Sequence, residues 1–159
     1  MEQAIAIIVG ALLGALAGLL GARFELRKKS DELFLKGLEF LGGGTQKRNL
    51  GLSAIELYWN TYPHHRKLCV SLLIGSAIYL LLHSKQGDAA HEIYNLERIM
   101  GILLSDQGYY ADLLKSYTSL KFALEAWNPN AERGLKLDPN KVKNWQSQLA
   151  TLMPKQSSE

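Results

Sequence analysis

Cysteine is nearly absent from this chain. Cys69 is the only one in 159 residues, so no internal disulfide can form, which suits a reducing compartment. Proline is scarce as well. The four prolines, Pro63, Pro129, Pro139 and Pro154, all fall between apolar periodic segments, so none breaks a helix interior. No segment alternates apolar and polar residues as a half-buried strand does. The net charge is only +3, which gives no general affinity for double-stranded nucleic acid. Several catalytic signatures are missing too. There is no G-x-x-x-x-G-K-[ST] loop for a nucleotide hydrolase and no G-x-S-x-G elbow. His91-Glu92 opens like a zinc-protease helix, but Asn95 stands where the second histidine belongs. No arginine has a histidine four to six residues later, which excludes the pattern of the helical HEPN ribonucleases. These absences argue against an enzyme, and no cofactor or metal site is expected.

What the chain does have is a long apolar leader. Ala4 to Ala22 is nineteen residues with no charged or hydrogen-bonding side chain, bracketed by Glu2 and Arg23. As a helix it reaches roughly 28 Å, close to the hydrocarbon thickness of a bilayer. It therefore reads as a single transmembrane helix. Only Glu2 precedes it, whereas Arg23, Arg27, Lys28 and Lys29 follow. That asymmetry disfavours a cleaved signal peptide and predicts the N terminus outside, with the rest in the cytoplasm at the inner membrane. The lipid bilayer is then the first expected partner. Gly10, Gly14 and Gly18 recur every fourth residue, a spacing that lets neighbouring membrane helices pack backbone to backbone. The positive excess also lies near the leader. From Arg23 to Lys67 there are nine basic and five acidic residues, and from Leu68 to Glu159 nine of each.

The remaining chain reads as all-α. Residues 1–29 form the anchor and its basic flank. Residues 30–44 form a connecting helix ending at the hinge Gly42-Gly43-Gly44. Residues 45–153 form a compact helical bundle, and 154–159 a disordered tail. Within the bundle, Thr45 to Tyr62 is a helix with Leu52, Ile55 and Tyr58/Trp59 as its stripe. Gly51 weakens it, and Ser53-x-x-Glu56 is an alternative start. Leu68 to Leu82 is apolar throughout and reads as the buried central helix, with a second membrane pass as the alternative. Helical spacing follows at Asp88–Leu104 and Tyr109–Trp127. Asp138-Pro139 pairs an N-cap with proline at the first helical position.

The best ligand-site candidate is the glycine hinge running into the next helix. Thr45, Gln46 and Asn49 offer donors there, and Lys47 and Arg48 add charge. Backbone N–H groups at a helix start suit phosphate. At the far end of that helix His64, His65, Arg66 and Lys67 form a second basic cluster, with Tyr62 beside it. Aromatic rings among basic residues can stack nucleobases.

Anchor, hinge and compact helical domain together resemble the small membrane effectors that accompany type III CRISPR systems. That resemblance implies a homotetramer whose cytoplasmic domain binds cyclic tetra-adenylate and perturbs the membrane in antiviral defence. The competing expectations are an anchored helical adaptor that docks a protein partner and senses nothing small, and a small two-pass subunit of a larger complex.

Overall fold

The computed structural model describes residues 2–61, 66–85, 89–105 and 113–152, and for residues 2–17, 60 and 61 only the helical backbone. It is all-α among these residues, with six helices. They are α1 (Glu2–Leu41), α2 (Thr45–Thr61), α3 (Arg66–Leu82), α4 (Ala89–Ser105), α5 (Leu114–Ala126) and α6 (Pro139–Leu152). The chain divides into two compact units, Met1–Lys36 and Gly37–Glu159.

Among the described residues, no helix is long and apolar enough to cross a membrane. This corrects the expected transmembrane anchor, and with it the single-pass inner-membrane location and the bilayer as partner. The apolar leader is the first part of α1, one uninterrupted helix of 40 residues. Past Arg23 that helix is strongly charged, with seven of the ten residues 23–32 being Arg, Lys, Asp or Glu. Such a density excludes hydrocarbon. Side chains 4–17 of the leader lie outside the described residues. In the first unit Leu19, Leu20, Phe24, Leu26 and Leu33 are exposed.

In the second unit α3 is the central helix. It packs on α4 and α5, while α2 packs on α4, and α6 on α4 and α5. Its buried side, Cys69, Val70, Leu73, Ile74, Ala77, Leu80 and Leu81, explains the unbroken apolar run. At 17 residues it is a core helix and not a second membrane pass. Tyr117, fully buried on α5, donates its hydroxyl to the Leu103 carbonyl at 3.3 Å. A buried phenol needs such an acceptor.

Gly51 does not set the start of α2, which begins at Thr45. A Cβ on Gly51 would lie 2.6 Å from the Gly37 carbonyl oxygen, and one on Gly37 would lie 2.7 Å from the Ala54 Cβ. The two glycines let the last turns of α1 and the middle of α2 touch backbone to backbone.

The segment between α5 and α6 straps the end of α3. The Gly134 and Leu135 amides donate to the carbonyls of Ser84 and Leu80 at 3.0 and 3.1 Å, acceptors a helix end otherwise leaves unmet. Trp127 Nε1 donates to the Leu135 carbonyl at 2.9 Å and pins the strap from the α5 side. Asp138 caps α6, its Oδ1 accepting from the Asn140 amide at 2.9 Å.

Candidate functional site

α1 closes in a tight turn. The Gly42 and Gly43 amides donate back to the carbonyls of Glu39 and Phe40, and α2 starts at Thr45. The turn leaves the Leu41 and Gly43 carbonyls pointing inward, and Arg48, one turn into α2, takes both. Its Nε donates to Leu41 O at 3.3 Å and its Nη2 to Gly43 O at 3.0 Å. Its Nη1 pairs with Glu92 Oε1 from the first turn of α4. Arg48 and Glu92 are each only 6% exposed, so both charges are desolvated and each depends on the other.

Glu92 is held by more than Arg48. The Thr45 hydroxyl donates to the same Oε1 at 2.9 Å, and Asn95 Nδ2 reaches Oε2 at 3.4 Å and the Thr45 carbonyl at 3.3 Å. Asn95 Oδ1 is buried without a donor. A hydroxyl and a guanidinium at the start of α2 thus grip an oxyanion, and that oxyanion is the protein's own. The sequence pointed to Thr45 and Arg48 but gave no hint of their guest. Glu92 and Asn95 were the missed residues. Their signal was two polar residues three apart, on the helix that carries Leu96, Ile99, Met100 and Leu103 inward.

This node lines the inner end of a cleft of about 910 Å³. One wall is the α1–α2 turn, from Leu38 to Thr45. The other is the outer face of α3, with Ser71, Leu72, Gly75, Ser76 and Tyr79, and Lys85 also lines the cleft. The Arg48 guanidinium lies 5.7 Å from the centre of the Tyr79 ring. Tyr79 is 47% exposed and Leu72 38%. A Cβ on Gly75 would meet nothing within 4 Å, so the floor of the cleft is open there.

The other sequence candidates are dispersed. Gln46 and Lys47 are exposed and border a shallow depression of about 340 Å³ with Gly44 and Thr45. Asn49 faces α4, where Arg98 contacts its Oδ1 and also binds Glu56 at 2.9 and 2.6 Å. The hydrogen bonds that Arg98 donates to the Glu56 carboxylate raise its pKa above the ordinary value. Arg66 belongs to α3 and not to a turn. Its Nε donates to the Trp59 carbonyl at 2.7 Å, and its guanidinium lies over the Trp59 ring. Lys67 is exposed on the next position. Tyr62, His64 and His65 lie outside the described residues. Of the packing glycines, Gly10 and Gly14 are described only as helical backbone, and a Cβ on Gly18 would meet nothing within 4 Å. Cys69 is 2% exposed, and burial pushes its thiol up to about 11. Among the described residues, no cluster of three or more His, Cys, Asp or Glu side chains could hold a metal ion.

No family model, curated protein or solved structure matches this chain. With no membrane-crossing helix among the described residues, this corrects the resemblance to type III CRISPR membrane effectors. The implied homotetramer, the cyclic tetra-adenylate ligand and the membrane-perturbing role have no support and are set aside.

Proposed function

We propose that the second unit is a non-catalytic docking module, and that the cleft beside α3 receives a segment of a partner polypeptide. One observation carries the reading. Leu68, Leu72 and Tyr79 stand exposed along one side of α3 at 48%, 38% and 47%, and open space lies over Gly75 between them. Large apolar groups flanking a gap suit a side chain inserted from outside. Scattered exposed leucines are ordinary, whereas an aligned set of which Leu72 and Tyr79 line a cleft is not. The charged groups at the inner end are occupied with one another, as expected of a rigid scaffold and not of a reactive centre.

The test is site-specific photo-crosslinking of the full chain in the cells that make it. Benzoylphenylalanine replaces Leu72 in one variant and the exposed Glu132 in a control. The expected result is an adduct with one discrete polypeptide from position 72 alone. Adding Gly75→Leu should abolish it. That substitution meets no neighbour at its Cβ, and leucine is a better helix former by about 0.8 kcal/mol, so the fold survives. An adduct equal at both positions, or none at position 72, would refute the docking module.

A further inference from the structure

We infer that Arg48 is a strut that sets the width of the cleft beside α3, and so a positioning residue for whatever enters it. Its role toward an occupant rests on the docking reading above, whereas its hold on the cleft does not.

Both walls of the cleft are mounted on α4. α2, which follows directly from the α1–α2 turn, packs on α4, and α3 packs on α4 and α5. The gap between the walls therefore depends on how α2 and the turn sit on α4. The turn has little of its own with which to fix that gap. Leu41 is the last side chain buried before three glycines, Gly42, Gly43 and Gly44. Glycines bring no side chain to pack and leave the backbone its widest freedom. The Gly42 and Gly43 amides bond back to Glu39 and Phe40, within the same wall.

What the turn offers instead is carbonyl oxygen, and Arg48 collects it. Its Nε and Nη2 donate to the Leu41 and Gly43 carbonyls at 3.3 and 3.0 Å. Its Nη1 pairs with Glu92 on α4. The same guanidinium lies 5.7 Å from the centre of the Tyr79 ring on α3, a residue of the facing wall. One planar group thus meets the turn, the common support and the opposite wall. Thr45 and Asn95 add hydrogen bonds between the start of α2 and α4. A buried ion pair is weak evidence for net stability, because two charges gave up water to form it. What a guanidinium supplies is direction, since donors fixed in one plane accept few arrangements of their partners. Apolar packing loses uniqueness before it loses stability. Width and stability are therefore separable.

The experiment uses the full chain with nitroxides at Gly44→Cys, on the turn, and Ser119→Cys, on α5, which packs on α3. Both positions are exposed, and a Cβ on Gly44 meets nothing within 4 Å. Cys69 is 2% exposed and stays unlabelled in the folded chain. Double electron–electron resonance should read one narrow distance. Arg48→Met with Glu92→Gln removes both charges together, so neither is stranded. The expected result is loss of the narrow distance with cooperative heat unfolding retained. Arg98→Met with Glu56→Gln is the control. It removes another fork between α4 and α2, at 2.9 and 2.6 Å, from residues that do not line the cleft, and should leave the distance unchanged. In the chain carrying benzoylphenylalanine at position 72, the Arg48 and Glu92 substitutions should also abolish the adduct. A narrow native distance after those substitutions, or equal broadening in the control, would overturn the strut. An adduct kept where the narrow distance is lost would overturn the positioning role. An adduct missing even with Arg48 and Glu92 in place is the separate failure of the docking reading, and the distance still decides the strut. If the double variant does not unfold cooperatively, Arg48→Lys takes its place. Its ammonium keeps a charge opposite Glu92 but cannot serve both carbonyls. The narrow distance should be lost there too, and its survival would overturn the strut.

Discussion

Arg48 makes three different contacts through three nitrogens, and each ties a different element to α2. Removing it strips Glu92 of its counter-charge in a buried site, so Arg48→Ala should cost about 3–5 kcal/mol. Arg48→Lys should recover little, because one ammonium cannot reproduce the planar fork that reaches Leu41 O, Gly43 O and Glu92 together. Lys47→Ala, one residue away but exposed, should stay within about 0.5 kcal/mol. Urea unfolding of the three variants measures this. Equal losses for Lys47 and Arg48 would show that the burial of the pair carries no weight. Cys69 offers a second measurement. Its thiol is held neutral up to about 11, against 9.0 unperturbed. Between those values the unfolded chain releases the proton and the native one keeps it. Stability therefore falls as pH rises through that window, and below it the group contributes no pH dependence. The denaturation midpoint should show this loss in the wild type and lack it in Cys69→Ala. A thiol reagent at pH 8 should label Cys69 only after unfolding.

At the scale of elements, the strap over the end of α3 makes the sharpest prediction. Gly134 has φ of 87°, and a Cβ there would lie 2.2 Å from the Leu81 carbonyl oxygen. Gly134→Ala should therefore cost at least about 2 kcal/mol, from the left-handed backbone and the collision together. Its amide bond to Ser84 would weaken first, so amide exchange should rise there before the core opens. An amide at position 134 as protected in that variant as in the wild type would contradict the strap. Asp138→Ala removes only the α6 cap and should cost about 1 kcal/mol. The strap was not legible in the sequence. Between the Tyr109–Trp127 helix and the Asp138-Pro139 start the sequence offers no such feature, because nothing local signals that the Gly134 amide meets a carbonyl fifty residues earlier. The helices of the second unit were legible from a 3.6-residue apolar period, or for α3 from an unbroken apolar run, with their own stop signals. The start of α2 was ambiguous for a related reason. Gly51 looks helix-weakening in isolation, and only the Gly37 backbone across from it gives the glycine a purpose.

For the whole molecule, the division at Lys36 and Gly37 predicts that the second unit has its own core. A chain beginning at Ser30 should keep a helical far-UV spectrum and unfold cooperatively by heat. Loss of cooperativity would mean that the division is not a boundary of folding. The sequence by itself determined the all-α class and the N-cap of α6, because these follow from local periodicity and from the preferences of single residues, and it left α3 open between a core helix and a second membrane pass. The length of one apolar run also suggested a membrane, yet α1 continues as one helix through a charged stretch, and no run length states where a helix stops. Only tertiary structure decided what the polar residues do. Arg48 and Thr45 carry the chemistry of an anion site wherever they stand, but it takes the packing of α2 on α4 to bring Glu92 to them. A long-range partner leaves no mark on the residues that receive it.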